Sequence, residues 1–253
     1  STPEPADTVV VAIPGEQVPA LLTAAADRGV RGAIVLSSGF AEAGPEGRRR
    51  QDELERLAAE RGLLICGPNC YGIFNVRLGA SAYSADVAKP WPAGPIAVVS
   101  QSGGFSHYVA EHLVRQRGLG LSYVVSCGNQ AGVTIEDYVH FLVEDDETAV
   151  VGVFVEGFRN PARLREAAAR ARDREKPIVI LKVGRSENAR QAMLAHTGSL
   201  AGSAEIVDAT LRQAGIVQVA SLNEMLDTVT LAAAARHHRR GWRVTVLSGL
   251  GGE

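Results

Sequence analysis

The segment Ala195-His196-Thr197-Gly198-Ser199-Leu200-Ala201-Gly202 sets one imidazole among small, turn-forming residues. It follows the strand-like run Val179-Ile180-Leu181-Lys182-Val183-Gly184-Arg185 and is too polar and glycine-rich to be a core element. An exposed imidazole is unprotonated for much of the time near neutral pH, so it serves as a metal ligand, a proton shuttle or a nucleophile. Three other strand ends supply companions. Ser100-Gln101-Ser102-Gly103-Gly104 follows a valine-rich strand and opens a helix, where free backbone N–H groups and small side chains let a phosphate or carboxylate approach. Ser126-Cys127-Gly128-Asn129-Gln130 ends the next strand, and Gly128 with Asn129 is placed to polarise a substrate carbonyl. Glu156 caps the apolar run Val150–Val155, where its carboxylate can orient a histidine and stabilise its cationic form. Together these four loops outline a site in which His196 accepts a phosphoryl group, Glu156 orients it and the amides hold the phosphate.

The elements that must position these loops alternate along the chain. β-Branched runs recur at Thr8–Ile13, Gly32–Leu36, Leu63–Cys66, Ile96–Ser100, Leu121–Val125, Ala149–Val155, Pro177–Val183, Ile216–Val219 and Arg243–Leu247. Amphipathic stretches ending on glycine lie between them, at Gln17–Arg28, Gly47–Arg61, Phe105–Arg117 and Ala204–Ala214. Asn160-Pro161 reads as an N-cap and N1 proline opening a helix to about Glu175. Helix stops at that spacing describe βα units and a mostly parallel sheet, so the fold class is α/β. Ligands gather at the carboxyl ends of such strands. By that rule Ile13-Pro14-Gly15, Ser37-Ser38-Gly39 and the Asn69 turn of Gly67-Pro68-Asn69-Cys70 are cofactor-cleft positions in the first part of the chain. The proline-rich Lys89-Pro90-Trp91-Pro92-Ala93-Gly94-Pro95 can continue neither a helix nor a central strand, and a domain boundary is placed there.

Composition narrows the class. The chain has 253 residues, 46% hydrophobic and 21% charged, with a formal net charge of −2. Nothing in that balance suits nucleic acid or a membrane surface as main partner. The cluster Arg236-His237-His238-Arg239-Arg240 reads as a solvated helix end. Cys66, Cys70 and Cys127 form no disulfide framework and no zinc-ligand pattern, so no metal site and a reducing, cytoplasmic setting are expected. No run of about 18 apolar residues and no signal peptide is present.

With these residues assembled, the chain resembles the NDP-forming acyl-CoA synthetases, the superfamily of succinyl-CoA synthetase. Gly67-Pro68-Asn69-Cys70 resembles the GPNC segment that closes the family's CoA-binding domain, and Ser100–Gly104 its S-x-S-G loop. His196 within AHTGSLAG matches the family's phosphorylated histidine, in a form nearest the ADP-forming acetyl-CoA synthetase branch, and Glu156 the glutamate that holds it. The resemblance implies two doubly wound parallel-sheet domains: a Rossmann-like CoA-binding domain over 1–92, lacking its first βαβ unit, and a flavodoxin-like domain over 93–241. Residues 242–253 then open a further flavodoxin-like domain, and the chain is expected to be a fragment, inactive alone. Also implied are coenzyme A, phosphate and a small carboxylic acid as ligands, with ATP/ADP or GTP/GDP and Mg2+ on an ATP-grasp domain or β subunit outside this chain. The assembly is expected to be a homo- or hetero-oligomer. The rival is a non-catalytic CoA- or acyl-CoA-sensing module, such as the synthetase-like region fused to some protein acetyltransferases. An NAD-binding Rossmann protein would need a GxGxxG turn, which the chain lacks.

Overall fold

The computed structural model describes residues 6–87, 89–184 and 204–235. Two sheets organise it. The first holds β1 (Thr8–Val11), β2 (Gly32–Val35) and β3 (Leu64–Cys66) in parallel order, with α1 (Val18–Ala26) and α2 (Pro45–Arg61) as the crossovers. Val11, Ala33, Val35 and Ile65 pack with Val18, Leu22 and Leu54 of those helices in one buried cluster. The sequence places α2 and its stop well: Gly62 ends it in the left-handed region at φ 63°.

The second sheet has seven strands. Its parallel part comprises β6 (Ala93–Ser100), β7 (Leu121–Ser126), β8 (Val150–Val155), β9 (Ile178–Lys182) and β10 (Val217–Val219). The spatial order β10-β9-β8-β6-β7 is the flavodoxin order, in which the chain reverses its winding between β6 and β8. Period-two alternation puts the two sides of this sheet to use. Val99, Val151, Val153 and Ile180 face α4 (Ile135–Glu144), α5 (Pro161–Asp173) and α6 (Ala204–Gln213), represented by Val139, Leu164 and Leu211. Ile96, Val98, Val150 and Val179 face α3 (Gly103–Arg115) and α7 (Leu222–Ala235), through Leu113, Met225 and Val229. Such near-continuous apolar strands are what a sheet covered on both faces requires.

The remaining strands, β4 (Gly72–Asn75) and β5 (Ala80–Tyr83), form a hairpin that adds to β7 antiparallel, with Gly72 opposite Ser126. The sequence reading puts these residues before the boundary at the proline-rich segment; it leaves both strands and α4 unassigned, and it marks α7 only through the helix end read at Arg236–Arg240. The hairpin strands have four residues each and no strong alternation, so they carry little periodic signal. Their effect is to seat the Gly67–Cys70 turn of the first sheet against the loop that ends β7, where the Asn129 and Ala131 N–H groups donate to the Pro68 and Gly67 carbonyls. The Arg236–Arg240 cluster, Arg243–Leu247 and the His196 segment lie outside the described residues.

Candidate functional site

The carboxyl ends of both sheets meet in a cleft of about 540 Å³. Eight sequence-predicted residues line it: Ser38 and Asn69 from the first sheet, and Gln101, Ser102, Gly103, Gly128, Asn129 and Glu156 from the second. The β6/β8 switch point lies at its base, the position where open α/β sheets bind ligands.

Ser102 is the N-cap of α3, its Oγ accepting from the Phe105 N–H. Gly103 follows, and its lack of a side chain has a cause: a Cβ there would fall 2.5 Å from the Tyr71 ring, which lies against the first turn of α3. Tyr71 is 37% exposed and is held edge-on by Tyr83, whose hydroxyl lies 2.7 Å from Ser106 Oγ. Burial pushes the Tyr83 phenol up to about 12, the Ser106 contact opposing it, so it stays neutral. Gly128 is demanded by its backbone, with φ 52° and the Pro68 carbonyl oxygen 2.2 Å from where a Cβ would stand.

Asn129 joins the two halves of the cleft. Its N–H donates to the Pro68 carbonyl at 2.9 Å, and its side-chain amide donates to Glu42 and, at 3.0 Å, to Gln51 Oε1. Asn69 Nδ2 donates back to Asn129 Oδ1 at 3.4 Å. Glu42 also accepts the N–H groups of Gly39 and Phe40, at 2.7 and 3.1 Å. Burial raises its carboxyl, but the Asn129 amide and those backbone donors outweigh burial and hold it below the usual range. Tyr71 and Cys70, at the strand-end segment Gly67–Gly72, also line the cleft, whereas Glu42, Gln51, Arg48 and Arg159 are not legible as site residues, because they sit on helices and loops rather than at strand tips.

Glu156 stands one residue past β8. Gln101 Oε1 accepts the N–H groups of Glu156 and, at 3.2 Å, Gly157, while Gln101 Nε2 donates to the Gly157 carbonyl at 2.7 Å. The following loop is pinned by Glu136, a fully buried carboxylate on α4 whose Oε1 accepts from Arg159 and Asn160 at 2.7 and 2.9 Å.

The other predicted positions are structural neighbours of the cleft. Ser100 is buried, its Oγ engaging the Ser102 carbonyl and N–H at 2.7 and 3.0 Å, and so shapes the turn. Ser37 Oγ accepts the Ile13 N–H at 3.1 Å, Gly39 is taken by Glu42 and Arg50, and Gly15 packs on the Ser38 carbonyl beside Pro14. A Cβ at Gly104 would meet nothing within 4 Å. His196 lies outside the described residues. Cys70, at the cleft edge, is kept protonated by its neighbour Cys66 and by burial. Among the described residues no helix is long and apolar enough to cross a membrane, and no group of three potential ligands could hold a metal.

Fold and site together define a two-domain α/β binding protein with flavodoxin strand order and a cleft at its switch point. The chain belongs to the succinyl-CoA ligase family: the model of the succinyl-CoA ligase-like flavodoxin domain matches residues 93–232, and that of a CoA-binding domain matches 1–75. It is 36% identical over 250 residues to the ADP-forming acetate–CoA ligase I of Archaeoglobus fulgidus, covering 99% of this chain and 36% of that protein. It is 32% identical over 250 residues to the α subunit of the ADP-forming acetate–CoA ligase II of Pyrococcus furiosus, covering 99% of this chain and 53% of that one. The solved acetyl-coenzyme A synthetase 1 of Ca. Korarchaeum cryptofilum, in complex with phosphate and ADP, superposes with a TM-score of 0.83 at 30% identity, over 92% of this chain and 49% of that one. The chain thus spans about half or less of the length of these relatives.

Proposed function

We propose that this chain is the CoA-binding and phosphohistidine part of an NDP-forming acyl-CoA synthetase. The observation that carries the reading is the switch-point cleft, where the α3 N-terminus, the Asn129 amide and Glu156 converge from three strand ends, with β9 leading toward the His196 segment. In the acyl-CoA-consuming direction, a phosphate oxygen attacks the thioester carbonyl. The C–S bond breaks, the CoA thiolate leaves, and acyl phosphate remains in the cleft. The His196 ring nitrogen then attacks phosphorus, the acyl-oxygen–phosphorus bond breaks, and the carboxylate departs. ADP or GDP finally takes the phosphoryl group, returning neutral His196. The histidine splits one transfer between distant sites into two.

The residues present suit anionic ligands. Ser102, Gly103 and Gly104 offer an uncrowded helix N-terminus to phosphate, Gly128 and Asn129 lie beside the acyl carbonyl, and Glu156 holds His196. Ile13, Pro14, Gly15, Ser37, Ser38, Gly39 and Asn69 border the CoA side. CoA supplies the thiol that carries the acyl group. The nucleotide and Mg2+ belong to an ATP-grasp partner domain or β subunit; a relative that is itself named an α subunit supports a separate partner chain. A reducing cytoplasm suits the three buried free thiols.

The test is synthesis. The complete protein, given CoA, Mg-ATP and a panel of carboxylic acids, forms a CoA thioester and ADP with at least one acid, and His196→Ala abolishes it. CoA binding without thioester formation or nucleotide turnover would instead identify a sensing module.

A further inference from the structure

The β6, β8 and β9 strands are neighbours in that order, so the residues just past their ends share one line across the sheet. The last ladder bonds run from Gln101 N–H to the Phe154 carbonyl, 3.3 Å, and from Val183 N–H to the Val155 carbonyl, 3.0 Å. Beyond them, the main chain of Glu156 and Gly157 has left the sheet and needs other partners for its polar groups. Two side chains supply them. From the β6 side, Gln101 accepts both N–H groups and donates to the Gly157 carbonyl. From the β9 side, Lys182, paired with Val155 in the ladder, donates through Nζ to the Glu156 carbonyl at 2.6 Å and to the Val183 carbonyl at 2.6 Å. Every backbone N–H and C=O of the Glu156–Gly157 step therefore has a side-chain partner, contributed by both flanking strands.

We propose that Gln101 and Lys182 are positioning residues that fix the direction of the Glu156 carboxylate by clamping its main chain. This rests on the role given above to Glu156 as the holder of His196. The clamp spends Gln101 on the peptide groups rather than on the phosphate, so the cradle proper is Ser102, Gly103 and the α3 N–H groups. It also gives Lys182 a reason to be lysine: a long stem and an ammonium reach two carbonyls at once, where a shorter polar side chain reaches neither.

The test measures phosphorylation of the histidine in the complete protein under single turnover from Mg-ATP, for Gln101→Met, Lys182→Met and Lys182→Arg, each alone and combined with Glu156→Gln. Losing the hydrogen bond that orients a metal-binding side chain costs about 10–100-fold, and a loss in that range is expected for the Glu156 clamp. Gln101→Met and Lys182→Met are expected to slow labelling by that factor at a temperature where both remain folded, Gln101→Met also lowering the thermal midpoint because it leaves two N–H groups and a carbonyl unpaired, and Lys182→Arg to recover most of the rate. In the Glu156→Gln background both methionine variants add little further loss, because the clamp then holds a side chain that no longer serves. Rates within about twofold of wild type, or equal losses with and without the Glu156 carboxylate, overturn the proposal. If Glu156→Gln itself labels like wild type, the role of Glu156 fails, a result separate from failure of the clamp.

Discussion

Asn129 and Glu42 meet across the cleft, the Asn129 amide donating to the Glu42 carboxylate while the Asn129 N–H donates to the Pro68 carbonyl and Glu42 accepts from Gly39 and Phe40. This pair ties the end of β7 to the loop after β2, and so sets the width of the site. Replacing Asn129 with Ala removes donors to Glu42 and Gln51 and the acceptor of Asn69, and is expected to cost about 1–2 kcal/mol in urea unfolding. Asn129→Asp would cost more at pH 7, since two carboxylates would then face each other, and would recover part of the difference near pH 4.

The same pair makes stability depend on acid. A carboxyl whose pKa is lower in the folded than in the unfolded state contributes stability above its unfolded value, and that contribution disappears as pH falls through the folded one. Glu42 is held below its usual 4.5. Wild type is therefore expected to lose thermal stability on acidification below about pH 4.5, and Glu42→Gln to lose less over that range. Midpoints followed by circular dichroism from pH 7 to pH 3 check this.

Gly128 is a backbone requirement. A methyl group there would press on the Pro68 carbonyl, 2.2 Å away, at a φ of 52°. Gly128→Ala is expected to destabilise the chain by about 2–4 kcal/mol, read from chemical denaturation. Gly104→Ala, with nothing within 4 Å, is expected to be neutral in the same experiment.

Glu136 carries the loop behind Glu156. Its Oε1 satisfies two backbone donors that α5 cannot, those of Arg159 and Asn160. Removing it by Glu136→Ala leaves both unpaired beside a fully buried site, at a cost of about 2–4 kcal/mol. Glu136→Gln keeps the accepting oxygen and is expected to remain within about 1 kcal/mol of wild type. Denaturant midpoints separate the two outcomes.

Much of this arrangement was legible in the sequence for a physical reason. Buried parallel strands must be apolar throughout, so their ends are marked where polarity returns, and Ser102, Gly128, Asn129 and Glu156 stand at such ends. The β6/β8 switch point follows from the flavodoxin-like resemblance and not from periodicity, because strand order is set by which helices cover which face rather than by any one segment. The short β4–β5 hairpin escaped for want of alternation, whereas α4 carries a readable signal, Ile135, Val139, Leu142 and Val143 at helical spacing behind the Thr134–Asp137 capping box, that the strand-end reading passed over. Glu42 and Gln51 enter the cleft only through contacts between residues far apart in the chain, such as Gln51 with Asn129. Ser37, Gly39 and Ser100 were chosen as strand-end residues, and their polar groups are occupied in shaping the turns.

A phosphoryl relay station holds its phosphate covalently between the two transfers. The most direct measurement incubates the complete protein with γ-labelled ATP and Mg2+ and assays protein-bound phosphate for acid lability and base stability. The account predicts stoichiometric label in wild type, none in His196→Ala, a strong reduction in Glu156→Gln, and discharge of the label on adding CoA and a carboxylic acid substrate. Equal labelling of wild type and His196→Ala would contradict it.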